Sequence, residues 1–276
     1  MQIAVLSGKG GTGKTTVSTN LAKILNVRYI DCDVEEPNGF IFLKPENITK
    51  EKVSIPVPKI DKSKCIHCKK CIEICQFNAL VHIDEVMLFE KLCHGCGACK
   101  TICPTVAITE YDRPIGEIYV GNSDEMECLS GILNVTEPMA GPIISQLKKR
   151  IDNKTTIIDC SPGSSCNVVK ALLDVDYAIL VTEPTEFGLH DLEIAVELIR
   201  KMNIPFGVII NRMSNNKNVV STYCLDENIN VLGTIPYDKQ IAIMYSKGDL
   251  LINEEKYKQM FNNIIHNIKE VTQCNL

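Results

Sequence analysis

Apolar residues in this chain arrive in short bursts separated by amphipathic stretches. Six bursts are nearly continuous: Ile3–Ser7, Tyr29–Asp31, Thr156–Asp159, Ala178–Thr182, Gly207–Asn211 and Val231–Ile235. Runs of this kind suit strands buried on both faces of a parallel sheet. Helical spacing links Leu189, Leu192, Val196, Ile199 and Met202, and recurs through Tyr257, Phe261, Ile264, Ile265, Ile268 and Val271. Each set marks one face of an amphipathic helix. Strand and helix alternate, which predicts a doubly wound α/β fold with a mostly parallel sheet. The last helix has a mixed polar face of Glu254, Glu255, Lys256, Lys258 and Glu270. A helix lying in a membrane surface would be richer in Lys and Arg, so this one is expected to cover the sheet.

The pattern stops near Ile55, where Pro56 and Pro58 punctuate the chain, and returns around Ile118. Between them lies a cysteine-rich stretch ending near Tyr111. The expected organisation is a discontinuous domain, residues 1–55 and 118–276, interrupted by an insert, residues 56–117. The insert repeats itself: Cys65 to Leu80 aligns with Cys93 to Ile108, cysteine on cysteine. A repeat of this kind is one structural unit used twice.

Composition sharpens the picture. The 276 residues are 45% hydrophobic and 23% charged, with a net charge of −5. Nothing basic points to nucleic acid, and with no Trp and few aromatics a base-stacking platform is disfavoured. The 14 cysteines are the unusual feature. No charged start followed by an apolar core suggests a signal peptide, and no apolar run is long enough to span a bilayer. The run from Val168 to Val181, for instance, is broken by Lys170, Asp174 and Asp176. A reducing cytoplasm with metal-bound thiolates is therefore expected rather than disulfides.

Two motifs carry chemistry. Gly8-Lys9-Gly10-Gly11-Thr12-Gly13-Lys14-Thr15 follows the first strand and opens a helix that continues through Thr16. Its glycines let backbone N–H groups converge on phosphates at a helix N-terminus. Lys14 is placed to reach the β- and γ-phosphates, and the Thr15 hydroxyl to ligate Mg²⁺. In the insert, Cys65, Cys68, Cys71 and Cys75 have the spacing C-x2-C-x2-C-x3-C, as do Cys93, Cys96, Cys99 and Cys103, the latter followed by Pro104. Zinc sites usually hold widely separated C-x2-C pairs, whereas this spacing suits [4Fe–4S] clusters. In two-cluster ferredoxins the fourth cysteine of each run serves the other cluster. The first set is then Cys65, Cys68, Cys71 and Cys103, and the second is Cys93, Cys96, Cys99 and Cys75. Gln76 departs from the pattern, standing where a proline is usual. His67 and His94 are expected to be exposed loop residues.

The form K-G-G-x-G-K-T resembles the deviant Walker A motif of the MinD, ParA, Mrp and nitrogenase iron protein group. Asp31-Cys32-Asp33-Val34-Glu35-Glu36-Pro37-Asn38 resembles that group's first switch, and Ile158-Asp159-Cys160-Ser161-Pro162-Gly163 its Walker B aspartate and second switch. The stretch Thr182 to Leu192 is similar to one in the ferredoxin-bearing branch. The resemblance spans essentially the whole chain. It implies a MinD-like P-loop ATPase carrying an inserted bacterial-ferredoxin-like α+β domain, with ATP, Mg²⁺ and two [4Fe–4S] clusters as cofactors.

It also assigns roles. Lys9 would reach across a dimer to the partner's nucleotide, Asp33 would position the attacking water, and Asp159 would hold Mg²⁺ through water. Asn211 and Pro236 would contact adenine. The dimer would be formed with a second copy or a paralogue, and hydrolysis would be slow without a further partner. Cys166, seven residues after Asp159, is placed like the cluster-bearing switch cysteine of the nitrogenase iron protein and is a candidate redox or metal residue. The stretch Glu137-Pro138-Met139-Ala140-Gly141 offers it no partner cysteine, and Cys128 lies upstream; Cys32, Cys160 and Cys224 are expected to be small buried hydrophobes, and Cys274 a frayed-end residue. Three functions follow: ATP-gated electron transfer, iron–sulfur cluster carriage or assembly, and a regulatory ATPase with structural or redox-sensing clusters. The first two require a redox or cluster-acceptor protein as partner.

Overall fold

The computed structural model describes residues 1–214 and 218–272; Cys274 lies outside them. In chain order the elements are β1 (Gln2–Leu6), α1 (Lys14–Leu25), β2 (Arg28–Asp31), α2 (Gly39–Leu43) and β3 (Glu46–Ile60). Then come α3 (Lys70–Glu73), β4 (Leu80–His82), β5 (Val86–Leu88), α4 (Ala98–Ile102), β6 (Ile108–Ser123), β7 (Met126–Leu133) and α5 (Gly141–Lys148). The chain continues through β8 (Thr156–Asp159), α6 (Cys166–Leu172), β9 (Tyr177–Thr182), α7 (Glu186–Lys201) and β10 (Phe206–Met213). It closes with α8 (Val219–Asp226), β11 (Val231–Pro236), α9 (Lys239–Ser246) and α10 (Glu255–Thr272).

One nine-stranded sheet has the order β11-β10-β9-β1-β8-β2-β7-β6-β3. Every pairing from β11 through β7 is parallel. Only β6 runs against the others; it pairs antiparallel with both β7 and the edge strand β3. The six strands expected from sequence form the parallel part together with β7, and match within a residue or two at each end. Their bursts are apolar because helices cover both faces. One core holds Leu6, Ile30 and Ile158 under α5, α6 and α7. The other holds Ile3, Val5 and Ile157 under α1 and α10. The buried face of α10, Tyr257, Phe261, Ile264, Ile265 and Ile268, packs on this second side, so the helix does cover the sheet. No helix among the described residues is long and apolar enough to cross a membrane.

Sequence pattern did not reveal β3, β6 or β7. The first seven residues of β3, Glu46–Lys52, are all exposed, so they show no apolar alternation. Pro56 and Pro58 do not interrupt the structure; they lie inside β3, opposite Asp112 and Glu110 of β6. Proline is tolerated there because β3 is an edge strand and alternate N–H groups face away from its neighbour. The ladder runs from Glu46↔Asn122 to Ile60↔Ile108, with register shifts between Glu46 and Thr49 and between Val53 and Ser54. The cysteine-rich segment is thus held at the end of a long two-stranded arm that grows out of the main sheet.

Candidate functional site

The phosphate loop joins β1 to α1. Gly11 and Gly13 take φ of +80° and +96°, where a side chain would be strained. At Gly13 a Cβ would also fall 2.2 Å from Asn211 Nδ2. That amide donates to the Thr12 carbonyl at 2.7 Å, tying the end of β10 to the loop. Gly8 is equally constrained, since a Cβ would come within 2.1 Å of the Asp191 carbonyl oxygen. The loop is therefore clamped from both sides.

Inside the site, Lys14 Nζ lies 3.3 Å from Asp159 Oδ1 and 3.4 Å from Asp33 Oδ2. Asp159 also accepts from Ser18 Oγ at 2.9 Å and from the Tyr29 hydroxyl at 3.1 Å. Burial alone would weaken the charge on Lys14. The carboxylates of Asp159, Asp33 and Asp31 outweigh it and hold the lysine above its ordinary pKa. Burial pushes Asp33 up, with Asp159 adding to the effect and Lys14 opposing it. Asp31 is buried behind them, accepting from the N–H groups of Asp33 and Gly39. Burial, followed by the charge of Asp159, carries its pKa to about 8.

A cleft of about 350 Å³ opens over the loop. Gly10, Gly11, Gly13, Lys14, Thr15 and Thr16 form its floor, with Asp33 at one wall and Asn211 and Pro236 at the other. Four sequence-nominated residues are not part of its lining. Thr12 turns inward, Gly8 lies behind the loop, and Lys9 points away to Glu183 Oε2 (3.9 Å) and Asp191 Oδ2 (4.0 Å). Asp159 too is reached only through Lys14, Ser18 and Tyr29. Sequence reasoning missed Tyr29 and Ser18, which hold Asp159. It also missed Arg212, Tyr237, Asp238 and Tyr245, which wall the cleft beside Asn211 and Pro236. The signal for Tyr237 and Asp238 was their position just after a parallel strand, at the carboxyl edge where such sheets bind ligands.

The cysteines fall into two groups at the arm. Cys65, Cys68 and Cys71 share a cavity with Cys103, while Cys93, Cys96 and Cys99 share another with Cys75. Each run therefore gives its fourth thiol to the other cavity. The repeat is carried into the backbone. His67, Lys69 and Asn78 have positive φ, as do their counterparts Gly95, Gly97 and Val106. The Ala79 N–H donates to Cys75 Sγ at 3.4 Å, and the Ala107 N–H to Cys103 Sγ at 3.3 Å. Among the described residues, no three or more His, Cys, Asp or Glu side chains converge as they would on a single metal ion. Each thiol set instead surrounds a space, with N–H groups turned to sulfur, an arrangement that fits a polynuclear iron–sulfur group better than one ion. Burial raises the pKa of Cys71 and Cys93 and brings Cys99 to about 11, so a metal group bound there would have to displace protons.

His94 is exposed but stacks on Phe77, centroids 3.6 Å apart, and His67 Nδ1 lies 3.2 Å from His82 Nε2. Cys32, Cys128, Cys160 and Cys224 are buried, and Cys166 is exposed at the start of α6. Its neighbour Asn167 donates to Glu35 Oε1 at 3.2 Å, linking the two candidate switches.

Comparison with known proteins agrees with this geometry. An uncharacterised protein of Methanocaldococcus jannaschii is 34% identical over 273 residues, covering 96% of this chain and 95% of that protein. An iron-sulfur cluster carrier protein of Pyrococcus horikoshii is 23% identical over 305 residues, covering 98% and 87%. The fold is shared with the septum site-determining protein MinD of Pyrococcus horikoshii, solved with Mg-ADP, at a TM-score of 0.59 and 20% identity, covering 98% and 96% of the two chains. The family described as the CobQ/CobB/MinD/ParA nucleotide binding domain matches residues 3–252, and the chain belongs to this family of P-loop ATPases.

Proposed function

We propose that this ATPase couples its nucleotide state to one-electron transfer through two [4Fe–4S] clusters held on residues 56–117, an inserted ferredoxin-like module. The observation that carries the reading is the interleaving of the thiols, Cys103 with the first run and Cys75 with the second. Four thiolates per cluster with no open position favour clusters that are kept rather than handed on. Clusters held there supply reversible one-electron chemistry.

The residues of the cleft supply the rest. Backbone N–H groups of Gly10, Gly11 and Gly13 cradle the phosphates. Lys14 leaves its carboxylate partners to meet the β- and γ-phosphates. Thr15 and Asp159 hold Mg²⁺, Asp159 through water, and Asp33 orients the attacking water. Asn211 and Pro236 flank the adenine. Lys9 serves a second copy or a paralogue across the nucleotide, and a redox protein receives or supplies the electron. Hydrolysis is slow until that partner completes the closed state.

A cluster carrier is the second reading. It is favoured by the name of the Pyrococcus relative and by Cys166, an exposed thiol beside the switch contact Asn167–Glu35. The deciding experiment is an anaerobic redox titration followed by EPR, without nucleotide, with ADP and with a non-hydrolysable ATP analogue. Electron transfer predicts two clusters whose potential or spectrum shifts with nucleotide. Clusters indifferent to nucleotide that move to an apo-acceptor would overturn it in favour of carriage.

A further inference from the structure

The two oxygens of Asp159 have different surroundings. Oδ1 meets Lys14 Nζ at 3.3 Å, and Lys14 lines the cleft. Oδ2 accepts from Ser18 Oγ at 2.9 Å and from the Tyr29 hydroxyl at 3.1 Å. Asp159, Ser18 and Tyr29 are all fully buried, and none of them lines the cleft. A carboxylate offers about two acceptor positions on each oxygen. Oδ2 is therefore filled from the interior by neutral donors. Oδ1 holds a flexible cation that it shares with Asp33 Oδ2, 3.4 Å from the same amine.

The fold explains the split. Lys14 and Ser18 are four residues apart on α1, so both reach Asp159 from one face of that helix. Tyr29 comes from the neighbouring strand β2, in register with Ile157 of β8, two residues before Asp159. Its ring is locked among Ile3, Val17, Leu21 and Phe42. Its hydroxyl is confined as well: a Cβ at Gly39, the first residue of α2, would fall 2.1 Å from it. Ser18 is the weaker of the two donors to Asp159, because its single proton is shared with the Thr15 carbonyl, 3.1 Å from Oγ.

The surroundings suit a hard divalent cation. Asp159, Asp33 and the Thr15 hydroxyl are all oxygen donors, the kind Mg²⁺ takes, and the carboxylates already accommodate a positive charge in the ammonium of Lys14.

We infer that Tyr29 is a positioning residue for Mg²⁺: its hydroxyl pins Asp159 by Oδ2 and leaves Oδ1 as the oxygen offered to a metal-bound water. This deepens the reading proposed above, in which Asp159 holds Mg²⁺ through water, and rests on it. Lys14 can leave Oδ1 for a phosphate without the carboxylate turning, because the other oxygen stays bonded. The terminal torsion of an aspartate is broad and roughly two-fold, so nothing intrinsic to the side chain selects one oxygen over the other. Partners that orient a metal-binding carboxylate are typically worth 10–100-fold in metal affinity.

The test compares the full-length wild type with Tyr29→Phe, Ser18→Ala and the double variant. Tyr29→Phe removes one oxygen and keeps the ring in the core. Two quantities are measured: ADP affinity in EDTA, by calorimetry, and Mn²⁺ affinity of the ADP-loaded protein, from the loss of the free Mn²⁺ EPR signal. Expected is unchanged ADP affinity in EDTA, with Mn²⁺ affinity lowered about tenfold in Tyr29→Phe, less in Ser18→Ala and most in the double variant. Mn²⁺ affinity unchanged in the double variant would make the two hydroxyls core packing and overturn the inference. So would an equal loss of ADP affinity with and without metal, which is what a loosened cleft produces. A wild type that takes up no Mn²⁺ with ADP would overturn the metal role of Asp159 itself, and this inference with it.

Discussion

Val106 shows how far a repeat constrains single residues. It holds φ at +52° and is 72% exposed, so it packs against little that would repay the conformation. Its counterpart in the first run is Asn78, with φ again +52°. Asparagine tolerates the left-handed region far better than a β-branched residue. Val106→Asn should therefore stabilise the protein by about 1 kcal/mol, the usual size of the left-handed penalty. On the two-cluster reading proposed above, its iron content should be unaltered. Thermal unfolding of the anaerobic protein checks it, and a lowered Tm would show that the valine makes a contact worth more than the strain. At this scale the sequence was most legible where chemistry demands a residue type. The loop glycines, Lys14 and the eight cysteines were visible because only those residues do those jobs. Tyr29 and Ser18 were not, because any buried hydroxyl on the right neighbour would hold Asp159 equally well, and adjacency across β2, β8 and α1 is not written in the local sequence.

Secondary elements were legible in proportion to how completely they are buried. The parallel strands announce themselves because both faces are covered. The α7 and α10 stripes do so because one face is. The arm of β3 and β6 was illegible for the opposite reason: the first seven residues of β3 lie in water, and its prolines, acceptable on an edge, imitate a break. Helix α10 offers the element-scale test. Phe261 is fully buried beneath it, against the core side that also holds α1. Phe261→Ala should cost about 3–5 kcal/mol, as buried aromatic truncations do. Equilibrium urea unfolding measures this. Iron content of the surviving folded fraction should stay at the wild-type level, because the thiol sets hang on the opposite edge of the sheet. Parallel loss of iron and stability would mean the arm and the body do not keep their structures separately.

The whole molecule raises the question of what Lys9 is for, since it does not face its own cleft. Its amine stands 3.9 Å from Glu183 and 4.0 Å from Asp191, with the side chain 36% exposed. Glu183 is shared, taking a closer contact of 2.6 Å from Arg212 at the rim of the cleft. Ion pairs this long and this wet contribute about 0–1 kcal/mol. They hold Lys9 loosely, and a phosphate presented by a second subunit would displace them at little cost. On the reading proposed above Lys14 serves the chain's own nucleotide, so removing Lys9 should leave ATP affinity nearly unchanged. Removing Lys14 should abolish it. Dimerisation is where the two separate. With a non-hydrolysable ATP analogue, the wild-type chain should pair while Lys9→Ala pairs at least tenfold more weakly, about 1.4 kcal/mol. Light scattering across a concentration series reads the difference directly. A Lys9→Ala chain that dimerises like wild type would instead make Lys9 a rim residue paired only within its own chain, and the partner across the nucleotide would have to be sought on another face.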